Sequence, residues 1–414
     1  HWHLISCKLY FRTHCVMIYL VLPRGNNFGW GVCGKYLVKE ISHITDVKFI
    51  TDSFSVEEIG DEYEFHFLKS KLLNETEAMA FSADESRRVG SPVLQAIGNQ
   101  ALMPWGTEIN SPFKAGYTFF EENILKQEYI QNGKDNFDIV ITGSKWCEEV
   151  LRNHGLDNVE TVIQGVDQQI FNTYHSDKEI FKDNFVIFSG GKFEIRKGQD
   201  IVIKAYKVLQ DRHKDVMLVN AWFNMWGDSM NTMAASRHIK YDVKSKDYAT
   251  AMYGILQDNG LDMERIVTLL PRSNALMAKI YKNTDIGLFT NRCEGGTNLV
   301  LMEYMACGKP VIASYNSGHR DVINKDNSIM INNMRQIDIN KNGTKIAVWD
   351  DPDLDETISH LEWAYQHRDE LKSYGTQAGN DLKELTWKKS AVKFVEIIEG
   401  RSQGTEVKEQ YCAV

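Results

Sequence analysis

The segment EGGTNLVLMEYMACGKPVIAS, from Glu294 to Ser314, limits the possible folds more than any other part of the chain. Leu299, Val300, Leu301, Met302, Met305 and Ala306 cover nearly every face of the helix they would form, so that helix is expected to be buried all round. Gly295 and Gly296 are expected to open it, Gly308 to supply the left-handed residue at its end, and Pro310 to prevent continuation. Val311, Ile312 and Ala313 then read as a short buried strand. Glu303 sits inside this apolar helix and requires a hydrogen-bonding partner, because an unpaired charge there costs several kcal/mol or more. Two readings are open at this point. Either Glu303 makes an internal cap or ion pair, or Glu294 and Glu303 face a cleft and bind a ligand rich in hydroxyl groups.

Elsewhere the order strand, glycine loop, helix recurs, which predicts an α/β protein with parallel sheets. CVMIYLVLP reads as a first strand, followed by GNNFGWGVCGKYLVKEI as a glycine loop entering a helix. VKFITD, PVLQAIG and DIVITGS are further strands, and Ser144 is expected to N-cap the helix KWCEEVLRNHG, ended by Gly155. After the strand VETVIQ, the polar stretch GVDQQIFNTYHSDKEIFKDN reads as an interdomain linker. A second unit follows, with strands in NFVIFSGGKF, VMLVNAWF, RIVTLLP and DIGLFT and helices in QDIVIKAYKVLQDRH and ALMAKIYKNT. The insertion from Asn224 to Tyr248, holding Met225, Trp226, Met230 and Met233, is either a functional loop or a surface decoration. DPDLDETISHLEWAYQHRDELKSYG and ELTWKKSAVKFVEIIEG are amphipathic helices. The expected division is 1–173, 174–387, and a terminal helix and tail at 388–414.

Composition narrows the function. A chain of 414 residues that is 43% hydrophobic and 25% charged is a soluble globular protein, long enough for two domains. The net charge of −9 falls mostly before Thr173 and no clustered basic run offsets it, which argues against nucleic acid or an anionic membrane as partner. The seven cysteines (Cys7, Cys15, Cys33, Cys147, Cys293, Cys307, Cys412) are scattered and form no CxxC pair, so a reducing, cytoplasmic setting is expected. Cys15–Pro23 is about half the length of a membrane span. Although Lys8 and Arg12 precede it, Arg24 follows at once with no small-residue cleavage site, and a buried strand is the better reading.

Three turns suit an anion. Gly29, Gly31 and Gly34 match GxGxxG after a strand, with Asp52 as the acidic residue a dinucleotide site would use. Alone the match secures only a glycine turn whose backbone N–H groups can approach an anion. SGGKFEIRKG, from Ser189 to Gly198, places Lys192, Arg196 and Lys197 beside Gly190 and Gly191, a combination that suits a diphosphate. Gly295, Gly296, Thr297 and Asn298 expose helix-start N–H groups in the same way. Split between two α/β units, these turns point to a nucleotide diphosphate bound between domains. Asp350-Asp351-Pro352-Asp353 reads as a helix cap rather than a metal cluster, and no metal is expected.

The pieces GWGVCGKYLVKEI, TGSKWCEEVLRNHG, GVDQQIF, GGKFEIRKGQD, IYKNTDIGLF, EGGTNLVLMEYMACGKPVIAS and the Trp-containing terminal helix run in one order from Gly29 to Glu399. In this the sequence resembles the retaining, GT-B-fold glycosyltransferases of family 4. The resemblance implies two Rossmann-like domains facing across a cleft, an acceptor-side domain first and a nucleotide-sugar domain second, with the last helix crossing back to the first. It implies that Lys192, standing where the family has Arg, and Lys197 hold the donor diphosphate. Arg196 and the turns at Gly31, Gly191 and Gly295 to Asn298 would assist, and Pro271 and Arg272 would face the base. Glu303 would bind the ribose. The carboxylate for the transferred sugar lies eight positions earlier in the family, where this chain has Gly295; Glu294 is displaced by one and a bulge in the loop restores it. Glu294, Lys192 and Lys197 are the catalytic residues this implies. No matching histidine is evident in the first domain, where PWGTEINSPFKAGYTFFEEN offers Thr107, Glu108 and Tyr117 on the acceptor side. The nucleotide sugar is then a co-substrate, no other cofactor is expected, and the acceptor is a glycan, a lipid-linked group or a protein. A nucleotide-sugar epimerase and a non-catalytic nucleotide-sugar-binding protein are the alternatives.

Overall fold

Strands of β-branched and aromatic residues ending in glycine turns assemble into two parallel sheets, each with helices on its faces. The computed structural model describes residues 16–175, 177–224 and 227–411. Cys7, Lys8, Arg12, Cys15, Met225, Trp226 and Cys412, singled out above, lie outside them.

The first sheet contains β1 (Ile18–Val21), β2 (Val47–Phe49), β3 (Val93–Gly98), β4 (Met103–Pro104), β5 (Lys114–Thr118), β6 (Ile139–Thr142) and β7 (Val159–Thr161). Its order is β2-β1-β3-β5-β6-β7, with β4 antiparallel on β3. The strand β5 is a correction to the sequence reading. KAGYT lies in the stretch expected to face an acceptor, yet all five residues are buried in mid-sheet between β3 and β6. Around this sheet stand α1 (Gly29–Ile41), α2 (Val56–Ile59), α3 (Glu62–Ser70), α4 (Glu75–Ala83), α5 (Gln127–Asn136) and α6 (Lys145–Asn153). The Ser144 side chain caps α6 as expected, accepting from the Cys147 amide.

The second sheet contains β8 (Phe185–Gly191), β9 (Val216–Trp222), β10 (Ile266–Thr268), β11 (Ile286–Phe289), β12 (Val311–Ser314) and β13 (Ile329–Ile331), in the order β10-β9-β8-β11-β12-β13. The order reverses between β8 and β11, and such a switch point opens a crevice at the carboxyl ends of the strands. Its helices are α7 (Gln199–Arg212), α8 (Tyr248–Asp258), α9 (Asn274–Lys282) and α10 (Leu299–Ala306). From Leu301 to Ala306, α10 is buried, whereas Leu299 and Val300 are half-buried because they line the interdomain cleft. Asn298 in the left-handed region caps it, so the helix opens at Leu299, four residues after Gly295. Gly308 is left-handed at its far end, at φ +72°.

Three further departures follow from packing that residue patterns do not carry. The hairpin β14 (Met334–Lys341) and β15 (Thr344–Pro352) was not read as strands; Asp350 and Asp351 belong to β15, and only Asp353 caps a helix. That helix is α11 (Leu354–Gln366), followed by a separate α12 (Leu371–Leu382) where one continuous helix was expected. The described part of the insertion after Asn224 is more than a surface decoration. It packs beneath the Lys192–Lys197 loop, with Met230 and Met233 in the second core, Asn224 bonded to Phe193 and Thr232 to the Ile195 amide.

The chain ends in α13 (Trp387–Tyr411), which returns to the first domain. Trp387 stacks on Tyr36 of α1 at 5.3 Å, and Ala391, Phe394, Val395, Ile397 and Ile398 enter the core around β1 and α1.

Candidate functional site between the domains

Two loops leave the switch point of the second sheet side by side. One follows β8 through Gly191, at φ +113°, to Lys192 and Lys197; the other follows β11 to Glu294 and α10. At Gly198 the left-handed backbone lies so close to Thr290 that a Cβ would sit 1.9 Å from the Thr290 carbonyl oxygen. This contact sets the cations of the first loop against the carboxylate of the second. Lys197 Nζ lies 2.6 Å from Glu294 Oε1 and Arg196 3.3 Å from Oε2, while the Asn291 amide also donates to Oε1. Burial alone would raise the Glu294 carboxyl, but Lys197 and Arg196 outweigh it and hold the group at about 2. Glu294 is therefore an anion at every working pH.

Glu303 is the opposite case. It accepts from Asn274 Nδ2 at 2.6 Å and from the Tyr281 hydroxyl at 3.3 Å, both neutral donors. Burial pushes its carboxyl up to about 8 against those two bonds. Asn274 Oδ1 beside it is buried without a hydrogen-bond partner.

Both carboxylates line one cavity of about 350 Å³, together with Gly191, Lys192, Lys197, Pro271, Arg272, Gly296 and Asn298 from the expected set. The first domain closes it with Asn26, Asn27, Phe28, Gly29, Trp30, Phe119 and Gln164. Seven expected residues are elsewhere. Gly31 is packed under the Arg24 carbonyl, and its neighbours Gly29 and Trp30 reach the cavity instead. Arg196 is held behind Glu294 by Glu194 at 2.7 Å and Glu121 at 3.4 Å. Gly295 is pressed against Phe120 and its carbonyl accepts from Ser144, so it joins the domains without lining the cavity. Thr297 is wholly buried with its hydroxyl on the Met302 sulfur. Tyr117 is a core residue packed edge-on to Trp30, Phe119 and Phe394, its hydroxyl on the Val162 carbonyl. Thr107 and Glu108 lie beyond β4, away from the cavity, where the Thr107 carbonyl accepts from Gln95.

The sequence reading missed Asn274, Tyr281, Phe119, Gln164 and His319. His319 is fully buried under the turn before α10, with Nδ1 3.0 Å from the Ser314 carbonyl and Nε2 3.1 Å from Asn298 Nδ2. Burial lowers it to about 4, so it is neutral, and Nε2 accepts from the Asn298 amide. Only a search for polar residues on neighbouring elements could have found these groups, and spacing along one chain gives no such signal. Among the described residues no three His, Cys, Asp or Glu side chains could jointly hold a metal ion, and no helix is long and apolar enough to cross a membrane.

Two Rossmann-like domains facing across a cleft, with the last helix returned to the first, define the GT-B architecture. Residues 184–340 match the family described as glycosyl transferases group 1, and the fold is that of GT-B proteins. It is 22% identical over 289 residues to an uncharacterized glycosyltransferase of Methanocaldococcus jannaschii, covering 69% of this chain and 59% of that relative. Sucrose-phosphate synthase from Thermosynechococcus elongatus superposes with a TM-score of 0.61 at 14% identity, over 96% of this chain and all of that one. Anabaena HepE in complex with UDP-glucose gives 0.61 at 14% identity, over 93% and 100%. An E. coli structure described as trehalose-6-phosphate bound with UDP-2-fluoro glucose gives 0.61 at 12%, over 92% and 98%.

Proposed function

We propose that the chain is a glycosyltransferase that moves a hexose from a nucleoside-diphosphate sugar to an acceptor hydroxyl, with retention and without a metal ion. The observation that carries this reading is the single cavity at the switch point, with two cations at one glycine turn and two carboxylates in opposite charge states. Lys192, Lys197 and the helix-start N–H groups suit a diphosphate and would stabilise the charge that develops on it as the sugar leaves. Glu303 and the unpartnered Asn274 Oδ1 are two acceptors side by side, as a ribose with two hydroxyl donors requires. Glu294, fixed from behind by Arg196, is set to orient hydroxyls of the transferred sugar. The similarity to HepE bound to UDP-glucose favours a donor of this kind.

The charge states also bear on the stereochemistry. The carboxylates lining the cavity are Glu294 and Glu303. Glu294 is too weak a base, and Glu303 is assigned to the ribose, away from the acceptor, so neither suits removal of a proton from the acceptor. The leaving phosphate oxygen takes that role. The bond from the anomeric carbon to the diphosphate breaks, the acceptor oxygen bonds to the same face, and its proton passes to the departing nucleoside diphosphate. Metal independence rests on Lys192 and Lys197 supplying the positive charge.

A thermal-shift screen of nucleotide sugars tests the reading, since a ligand at ~100 times its Kd adds about 2.7 kcal/mol of stability. Release of nucleoside diphosphate with acceptor, in the presence of a chelator, is expected of a transferase. Interconversion of the sugar without acceptor would mark an epimerase, and binding without turnover a non-catalytic protein.

A further inference from the structure

His319 is a fully buried histidine that no step described above uses. It stands in the turn after β12, and that turn supports the loop before α10 at three points. Ser317 Oγ accepts from the Glu294 amide at 2.7 Å, the Gly318 amide donates to the Glu294 carbonyl at 3.0 Å, and His319 reaches Asn298 at 3.1 Å. Gly318 passes so close beneath the loop that a Cβ there would sit 1.6 Å from the Gly296 carbonyl oxygen. Of the three ties, only the last grips the side chain of a residue lining the donor cavity.

The direction of that tie is fixed by its surroundings. Nδ1 lies 3.0 Å from the Ser314 carbonyl, which can only accept, so the imidazole proton is on Nδ1 and Nε2 is a bare acceptor. A bare Nε2 needs a donor. It therefore turns Nδ2 of Asn298 toward itself and leaves Oδ1 to cap the Leu301 amide. Nδ2 carries two protons, and His319 takes one of them. Among the described residues no second acceptor meets the other, and Asn298 lines the cavity where α10 begins. The Asn298 backbone is left-handed at φ +62°. Glycine takes that conformation more readily, so what asparagine adds here is its amide group.

We infer, on the reading of the chain as a glycosyltransferase, that His319 is a positioning residue for the donor diphosphate: it turns the Asn298 amide so that the second N–H donates to a phosphate oxygen. The helix-start N–H groups of α10 and Lys197 then have a side-chain donor beside them. Its direction is set from behind, so it does not reorganise when the nucleotide arrives.

Two substitutions separate this role from a packing role. In His319→Gln, Oε1 stands near the place of Nε2 and still accepts from Asn298. In His319→Asn, the side chain keeps the Ser314 contact and offers Asn298 nothing. Uridine, guanosine and adenosine diphosphates are titrated calorimetrically into the full chain, and the one that binds the wild type serves as probe. His319→Asn should weaken it about tenfold and His319→Gln by no more than about twofold. Asn298→Gly should also weaken it about tenfold, and on that background His319→Asn should weaken it no further, because the group it acts through has gone. Equal losses in the two His319 variants, no loss in either, or a His319→Asn loss that persists beside Asn298→Gly overturns the inference and leaves the proposed function standing. Should neither His319 variant fold, the wild type labelled with 15N-asparagine decides. One Nδ2 proton of Asn298, identified by its absence from Asn298→Gly, should shift on addition of the probe while its partner on His319 stays in place. Two stationary protons, or two that move alike, overturn the inference. Failure of every nucleoside diphosphate to bind would instead overturn the proposed function.

Discussion

Glu294 and Glu303 lie nine positions apart and lead opposite electrostatic lives. The first has two cations within 3.3 Å and stays ionised; the second has only neutral partners and keeps its proton up to about 8. The consequence for stability has a definite sign. Below the ordinary carboxyl value of 4.5 the Glu303 contribution is present in full. As pH rises from there to 8 the unfolded chain releases a proton that the folded chain retains, so that contribution is progressively lost. Glu303→Gln is neutral at all pH and should flatten the fall in melting temperature between pH 5 and 9, which differential scanning at several pH values would reveal. An unchanged slope would mean that Glu303 is ionised in the folded protein. Both carboxylates were legible in the sequence because a charge inside an apolar helix and another beside two glycines are conspicuous. The partners of Glu303 were not, since Asn274 and Tyr281 reach it through packing of separate elements. Tyr117 was misread for the same reason: KAGYT shows no clean alternation, and its burial comes from strands on both sides.

At the scale of elements, the glycine–Lys loop and the loop before α10 line the cavity, and the β14–β15 hairpin braces the two domains beside it. Sequence gave away the first two through their glycines. The hairpin hid because polar residues alternate irregularly on its exposed half, with a register break at Ile339 and Asn340. Yet this hairpin ties the domains together. Asn123 of the first domain donates to the Val348 carbonyl and accepts from the Val348 amide at 2.8 Å, and the Trp349 indole donates to the Glu121 carbonyl at 2.8 Å. Each such bond contributes on the order of 1 kcal/mol. Asn123→Ala should therefore speed amide hydrogen exchange at Val348, whose amide Asn123 holds, and at Ile124, whose amide donates to the Ile346 carbonyl beside it, while leaving exchange in β8 and β9 unaltered. Equal exchange in both proteins would show that the hairpin is not held there.

At the scale of the whole molecule, two switch-point crevices are brought face to face and α13 fastens one domain to the other. The parallel α/β class could be read from the sequence, and the returning helix followed from the family resemblance. The relative placement of Glu121, Arg196 and the hairpin could not, because it depends on contacts between residues far apart in the chain. Trp387 is 4% exposed and stacked on Tyr36, so Trp387→Ala should cost ~3–5 kcal/mol and lower the urea midpoint, with the first domain weakened most. An unshifted midpoint would mean that α13 does not hold the first domain.

The proposed function requires that one cavity hold a nucleoside diphosphate, with the phosphates at Lys197 and the ribose at Glu303. Calorimetric titration of UDP, GDP, ADP and inorganic pyrophosphate into the wild type, Lys197→Ala and Glu303→Gln tests it directly. At least one nucleoside diphosphate should bind the wild type at a single site. Lys197→Ala should weaken that nucleotide and pyrophosphate alike, by about 1.5–3 kcal/mol, through loss of a charge-assisted contact. Glu303→Gln should weaken the nucleotide and leave pyrophosphate unchanged. Nucleotide affinity that survives both substitutions would contradict the assignment.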